Sequence, residues 1–288
     1  MSGFDRIEQL GSSLIQHGPA NQRVYLMTPA IRDLTDLPAR LIEFARERGY
    51  TKVFAKFPES ARGLVEAAGY EIEGKVEGYY RGETAALFAG YYLDPARREG
   101  DRGEALRIRE LALSRAGADE KPAEVAPRRL TADQTEAAAE LYREVFESYP
   151  FPIHDPAYLR RTMESNVDYY GIMEGERLIA LASAEKDPES LAAEMTDFAT
   201  RKEARGRSLA GLLLERIEED LRAAGYLTGF TIARAISAGM NITFARAGYR
   251  FGGLLWNNTQ ICGRLEPMNI WYKSLRPGDG AKRGEHSA

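Results

Sequence analysis

The feature that most constrains the fold is a strand that runs through a short turn into a helix, at residues 194–210. Met195 to Thr200 is strand-like, Arg201 to Arg205 forms the turn, and a helix is predicted to open at Gly206. The apolar residues of this helix recur at helical spacing, at Leu209, Leu212, Leu213, Ile217 and Leu221. The first N–H groups of such a helix lack intrahelical acceptors and lie at the positive end of its dipole. The segment therefore predicts a seat for a phosphate or pyrophosphate.

Composition argues against several classes of protein. The chain has 288 residues and a net charge of -4, so it lacks the basic footprint of a nucleic-acid binder. A single cysteine, Cys262, rules out an internal disulfide and suits a reducing cytoplasm. No apolar run approaches the ~20 residues needed to span a bilayer, and no signal peptide is recognisable. The three histidines are not at ligand spacing. We expect a cytoplasmic protein with no metal, membrane or nucleic-acid partner.

A polar stretch at residues 117–127 is the best candidate for a domain boundary. Strand-like and helical segments alternate on both sides of it, which predicts an α/β (α+β) fold with a mixed sheet flanked by helices. We expect an N-terminal α/β domain at 1–118, a second domain at 128–275 and a disordered tail at 276–288.

The two halves share a weak sequence echo. Ala67 to Gly74 reads AAGYEIEG, and Arg246 to Gly253 reads RAGYRFGG. Each segment follows a strand and a short helix and precedes two strands, so the N-terminal half is predicted to be a reduced relative of the second. Two unrelated helix ends, each capped by Gly-Tyr, remain the alternative.

The loop Arg205 to Ala210 resembles the pyrophosphate loop of the GNAT acetyltransferase superfamily, whose pattern is Gln/Arg-x-x-Gly-x-Gly/Ala. Ser208 departs from it, because it replaces the middle glycine. An ordinary amphipathic helix with a flexible glycine near its start is the alternative. The resemblance implies a GNAT-type, mostly antiparallel sheet and acetyl-coenzyme A as co-substrate. The residues expected to contact the coenzyme are Phe198, Ala199, Thr200, Arg205, Gly206, Arg207, Ser208, Leu209, Ala210, Ser237 and Asn241.

Acetyl transfer to an amine needs a group that removes a proton from the ammonium. GNAT enzymes often place a carboxylate for this on the strand that precedes the pyrophosphate loop, which makes Glu194 and Asp197 the candidates, with Glu194 slightly favoured. A solvated surface carboxylate and a backbone cap are the alternatives. The tyrosine that often protonates the leaving thiolate is replaced by Phe244, so the general acid stays open.

Further strings resemble the β-lysine N-acetyltransferase family over nearly the whole chain. Among them are residues 13–18, 23–27, 149–153, 196–200, 231–235, 239–241, 256–259 and 268–273. The resemblance implies transfer of acetyl to the ε-amino group of β-lysine, whose product serves as a compatible solute. Another small amine, an amino acid or a protein lysine as acceptor, or a non-catalytic acyl-coenzyme A module, are the competing interpretations. The oligomeric state, a homodimer included, is not fixed by the sequence.

Such a substrate needs a clamp for its carboxylate, a partner for its β-ammonium and a lining for its aliphatic stem. Arg234 with Asn257, Asn258 and Asn269 could form the clamp. Glu266 could hold the ammonium, and Tyr149 and Phe151 could line the stem. Each of these residues also has a structural alternative, because buried asparagines often satisfy strand ends and Pro-Phe-Pro often packs a loop.

Overall fold

A computed structural model describes residues 5–117, 125–261 and 263–278. Most of the predicted linker, Cys262 and the predicted tail beyond Gly278 lie outside the described residues. The elements of the first half are β1 (Arg6–Leu10), β2 (Ser13–Gly18), β3 (Arg23–Thr28), α1 (Leu37–Glu47), β4 (Lys52–Pro58), α2 (Arg62–Ala67), β5 (Glu71–Tyr80), β6 (Thr84–Tyr92) and α3 (Gly103–Leu113).

The second half begins with a strand and a helix that is capped by Thr131 and Gln134, which bond each other's backbone in a capping box. Its elements are β7 (Arg128–Arg129), α4 (Thr135–Val145), α5 (Pro156–Met163), β8 (Val167–Glu174), β9 (Arg177–Asp187), β10 (Ala192–Thr200), α6 (Leu209–Ala223), β11 (Thr228–Arg234), α7 (Ala238–Arg246), β12 (Arg250–Ile261) and β13 (Arg264–Ser274).

All these strands join one sheet of thirteen within the described residues, in the order β1-β2-β3-β4-β6-β5-β12-β13-β11-β10-β9-β8-β7. The neighbours pair antiparallel except β3 with β4 and β10 with β11, which are parallel. The predicted fold class, a mostly antiparallel mixed sheet flanked by helices, is confirmed.

The same chain of pairings occurs twice. Strands β1 to β6 pair in the order 1-2-3-4-6-5, and β8 to β13 pair in the order 8-9-10-11-13-12 with matching directions. Helix α1 connects the parallel pair of the first half, and α6 connects that of the second. The first half therefore has the topology of the second without β7, α4 and α5, as the sequence echo predicts.

The two halves meet where β5 pairs with β12, at Gly74 opposite Gly253. These are the matching glycines of the sequence echo, so the repeat carries an approximate twofold relation through this contact. A Cβ on Gly253 would lie 2.2 Å from the backbone oxygen of Glu73 and 2.4 Å from the Cα of Gly74. Only glycine allows the strands to approach this closely.

The sheet buries both of its faces. Helices α6 and α7 cover one face of the second half, and α1 and α2 cover the equivalent face of the first. On the opposite face, α4 and α5 cover β8 and β9. The rest of that face packs against the first half, in a core that includes Phe54, Phe88, Ala192, Phe230 and Met268.

The start of α6 differs from the sequence-based expectation. We expected this helix to open at Gly206, but it begins at Leu209, after a 3-10 turn at Lys202–Ala204 and four further residues. Within the described residues, no helix combines the length and the apolar character that crossing a membrane requires.

We predict that Gly253→Ala destabilises the protein by about 2 kcal/mol, because its methyl group must push β5 and β12 apart. Chemical denaturation measures the change. Gly63→Ala is the matched control, because Gly63 lies in α2 with open space around its Cβ position. Equal stability of the two variants would contradict the account of the junction.

Candidate active site

The site begins where the parallel strands β10 and β11 separate. They pair only at Ala192, Ala193 and Glu194, and β10 then bulges away from its other neighbour between Thr196 and Ala199. The edge of β10 that faces β11 is therefore left without a ladder partner beyond Glu194. A cleft of about 840 Å³ opens there, between the two strands, the start of α6 and one side of α7.

The loop that leads into α6 forms one end of this cleft. Gly206 and Ser208 adopt left-handed conformations, with φ of 79° and 60°. In the part of the chain that the structure describes, the backbone N–H groups of residues 206–210 form no hydrogen bond, and regular bonding resumes at Gly211 and Leu212. Free amides at the positive end of a helix of fifteen residues suit an anionic ligand.

Most residues predicted to hold the coenzyme line this cleft. They are Phe198, Thr200, Arg205, Gly206, Ser208, Leu209, Ala210 and Ser237. Ala199 instead packs under α4, and the Arg207 side chain pairs with Glu174 on the surface. The Oδ1 atom of Asn241 accepts from Asn269 and Trp271, so this side chain lies in a buried network and not on the cleft wall.

Asp197 lies in the bulge of β10 with a φ of 54°, and three hydroxyls donate to its carboxylate. Tyr149 donates at 2.5 Å, Ser183 at 2.8 Å and Thr196 at 3.3 Å. Burial raises the pKa of Asp197, and these three hydrogen bonds oppose the rise. The carboxylate is thus held in one orientation, with most of its acceptor capacity in use.

Glu194 lies on the same face of the sheet, directly opposite Glu185 of β9. Burial and the nearby Glu185 raise the pKa of Glu194 to about 8, while Lys56 and a hydrogen bond from the Ile232 backbone oppose the rise. A carboxyl group with a pKa in this range changes its protonation state near neutral pH. Such a group can take up and release a proton during a reaction.

The first half of the chain supplies side chains next to these carboxylates that the sequence did not indicate. Lys56 contacts the hydroxyl of Tyr79, which in turn donates to Asp187 at 3.2 Å. Burial lowers the pKa of Lys56, and the carboxylates of Asp187, Glu194 and Glu185 favour its charged form. We call the group formed by Tyr25, Lys56, Glu185, Glu194 and Asp197 the inner cluster.

The residues predicted to bind the acceptor are placed unequally. Tyr149 lines the cleft, whereas Phe151 packs among the apolar residues of α4 and α5. Arg234 donates to both carboxylate oxygens of the buried Glu266, so these two residues bind each other. Asn257 donates to the backbone oxygen of Arg97, and Asn269 donates to the side-chain oxygen of Asn241.

Phe244, at the position of the usual acid, is buried and packs edge-on against Phe198 at a centroid distance of 5.6 Å. It therefore forms part of an apolar cleft wall and offers no proton. Among the residues with hydroxyl groups that line the cleft, Ser237 and Thr243 come from the α7 region.

Comparison with known proteins agrees with this geometry. The model of the acetyltransferase (GNAT) family matches residues 135–248, which include β10, the loop and α6. The chain is 34% identical to the β-lysine N(6)-acetyltransferase of Methanococcus maripaludis, over 94% of this chain and 99% of that one.

Two further relatives have similar coverage. The N-acetyltransferase YodP of Bacillus subtilis is 34% identical over 82% of this chain and 86% of its own length. The β-lysine N(6)-acetyltransferase of Methanosarcina mazei is 30% identical over 78% of this chain and 91% of its own length. These likenesses extend through both halves of the sheet, and the expected GNAT-type fold is confirmed. The chain is an N-acetyltransferase that belongs to the β-lysine N-acetyltransferase family of the GNAT superfamily.

Proposed function

We propose that this enzyme transfers the acetyl group of acetyl-coenzyme A to the ε-amino group of β-lysine. The observation that carries the proposal is the likeness to the Methanococcus maripaludis enzyme along 99% of that chain, which includes the N-terminal half. The inner cluster supports the proposal, because its carboxylates suit an acceptor with two ammonium groups. The product keeps one ammonium and one carboxylate, and this net neutrality fits the proposed role as a compatible solute.

The amides of residues 206–210 bind the pyrophosphate of the coenzyme, because they are free donors at a helix start. The unpaired edge of β10 beyond Glu194 binds the amide groups of the pantetheine arm in the manner of an added strand. The thioester supplies an activated acetyl group with a good leaving group. In this arrangement it lies beside Asp197 and Phe198, which line the same cleft.

Glu194 acts as the general base. The acceptor arrives as an ammonium ion with a pKa of ~10.4, so it must lose a proton before it can attack. The raised pKa of Glu194, about 8, makes this carboxylate a better proton acceptor than an ordinary glutamate. Asp197 is less suited to this role because Tyr149, Ser183 and Thr196 already donate to it. Its function is to fix the bulge and to hold Tyr149 against the acceptor.

A coupled thiol-release assay tests the proposed substrate. Acetyl-coenzyme A is offered with β-lysine, α-lysine, spermidine and a lysine-containing peptide, and the product is identified by mass spectrometry. We expect turnover with β-lysine and a higher kcat/KM than with any other amine. Preference for spermidine or for the peptide would contradict the proposal, and coenzyme binding without turnover on any amine would indicate a binding module.

The assignment of residues 205–210 as the pyrophosphate loop predicts that one substitution weakens coenzyme binding and that another stabilises the protein. Gly206→Val places a β-branched residue at a φ of 79°, and the strained loop should weaken coenzyme A binding roughly tenfold. No protein atom lies within 4 Å of this Cβ position, so the substitution displaces no neighbouring group of the protein and its strain lies in the backbone of residue 206. Ser208→Gly relieves a left-handed serine and should stabilise the protein by about 1 kcal/mol without loss of affinity. Calorimetry measures the affinity of each variant for coenzyme A, and thermal unfolding measures its stability. An unchanged affinity of Gly206→Val would argue against this loop as the coenzyme site.

The base assignment predicts a pH dependence. Glu194 is protonated below its pKa of about 8 and becomes a base as the pH rises through that value. For the wild-type enzyme, kcat/KM for β-lysine should therefore rise between pH 7 and 9. Glu194→Gln should lower kcat/KM by about a hundredfold at pH 8, and the loss should shrink as the pH rises toward the amine pKa of ~10.4, because more of the acceptor is then free amine.

Glu185→Gln is the matched control, because it removes the neighbouring charge and keeps the base. The pKa of Glu194 should fall in this variant, so the rise in kcat/KM should move to lower pH. Should Glu194→Gln keep the wild-type profile, Glu194 is not the base.

A further inference from the structure

Arg23 of β3 is a buried arginine without a carboxylate partner. Its side chain is 5% exposed, and its guanidinium lies over the rings of Tyr25 and Phe54, at 5.5 Å and 5.3 Å from their centroids. Nη1 donates to the backbone oxygen of Asn258 at 2.6 Å and to the hydroxyl of Thr259 at 3.2 Å. The Nε atom is buried and has no acceptor among the described residues. A buried guanidinium with an unpaired N–H group and no counter-charge is costly in free energy unless a ligand supplies the missing acceptor.

Asn258 of β12 presents the opposite deficit. Its side chain is 1% exposed, and its Oδ1 atom is buried without a donor among the described residues. The backbone of this same residue binds Arg23. A buried donor and a buried acceptor, both unsatisfied and on neighbouring residues, together match a ligand that carries an acceptor beside a donor.

Two other arginines near this region differ from Arg23. Arg97 is equally buried, but its guanidinium donates to the backbone oxygens of Asn21, Gln22 and Asn257 and to the hydroxyl of Thr51. The charge of Arg234, which the sequence favoured as the clamp, is neutralised by Glu266. For Arg23, by contrast, no ion pair exists within the described residues, and Asp5 and Glu73 act on it only through longer-range attraction.

Arg23 also lies at a suitable place relative to the proposed base. Arg23 and Tyr25 share one face of β3, and Tyr25 stacks on Phe54 at 4.7 Å. These rings pack in the same core as Phe230, which is the register partner of Glu194 on β11. Glu194 is also the group whose charge acts most strongly on the Tyr25 hydroxyl. The Tyr25 ring thus contacts the Arg23 guanidinium, and its hydroxyl lies close enough to Glu194 to be influenced by that charge.

We propose that Arg23 and Asn258 bind the amino-acid head of the acceptor, with the carboxylate on Arg23 Nε and the adjacent ammonium on Asn258 Oδ1. This inference rests on the proposed function. The aliphatic stem then lies along Tyr25, and the terminal amine reaches Glu194. The N-terminal half has thereby become one wall of the acceptor site, which gives it a role although it lacks a coenzyme loop.

The test compares β-lysine with β-lysine amide, in which the carboxylate is replaced by a neutral group. With the wild-type enzyme, we expect kcat/KM for the amide to be about a hundredfold lower than for β-lysine. Arg23→Met should lower kcat/KM for β-lysine by about the same factor and change it for the amide by less than about twofold. Arg98→Met is the matched control, because Arg98 is an exposed arginine of the same half that pairs with Glu71. It should leave both substrates unchanged.

The outcomes separate this inference from the proposed function. A wild-type enzyme that does not acetylate β-lysine contradicts the proposed function and the head site with it. If the wild-type enzyme acetylates β-lysine but Arg23→Met lowers kcat/KM equally for β-lysine and its amide, the head site alone is contradicted. If Arg23→Met does not fold, Arg23→Lys keeps the charge and removes Nε, and it should lower kcat/KM about tenfold for β-lysine only. Asn258→Leu should raise the KM of β-lysine and leave coenzyme affinity unchanged by calorimetry.

Discussion

The separation of β10 from β11 is the constraint on which the rest of the site depends. Two parallel strands in the middle of a sheet normally bond along their whole length, but these stop after three residue pairs. The bulge around Asp197 turns β10 away, and the hydroxyls of Tyr149 and Ser183 hold the bulge in place. The resulting gap gives a ligand access to free backbone in the interior of the sheet, and the start of α6 supplies amides at its end.

The repeat shows how one topology can be used in two ways. In the first half, α1 follows β3 and carries Pro38 in its first turn. The segment between β3 and α1 does not have the sequence pattern of the 205–210 loop. That half keeps the parallel pair but packs the inner faces of β3 and β4 against the second half. The close approach of Gly74 and Gly253 brings both halves into one sheet. The assignment of separate domain limits at residues 118 and 128 stays a prediction.

Local patterns in the sequence predicted the local structure well. The strand at 192–200, the helix behind it and the repeat all follow from periodicity and from the Gly-Tyr echo. The apolar pattern predicts a start of α6 that is three residues too early, because Gly206 belongs to the left-handed loop and not to the helix. The motif favours glycine at position 208 because the backbone there is left-handed, with a φ of 60° at Ser208. Only the structure gives this angle.

The side-chain partnerships could not be predicted in the same way. Arg234 and Glu266 have the residue types of a substrate clamp, but they bind each other across β11 and β13. Lys56 and Tyr25 lie more than a hundred residues from Glu194 in the chain, so no spacing rule connects them. Only the folding of one half-sheet over the other brings these groups together.

The central claim is that the amides of residues 206–210 bind the pyrophosphate of the coenzyme, and backbone amide NMR during a titration with coenzyme A tests it most directly. The account predicts saturable shifts of the amide resonances of residues 206–210, and no comparable shifts at residues 30–36, the corresponding loop before α1. Unchanged resonances at 206–210 in the presence of saturating coenzyme A would contradict it.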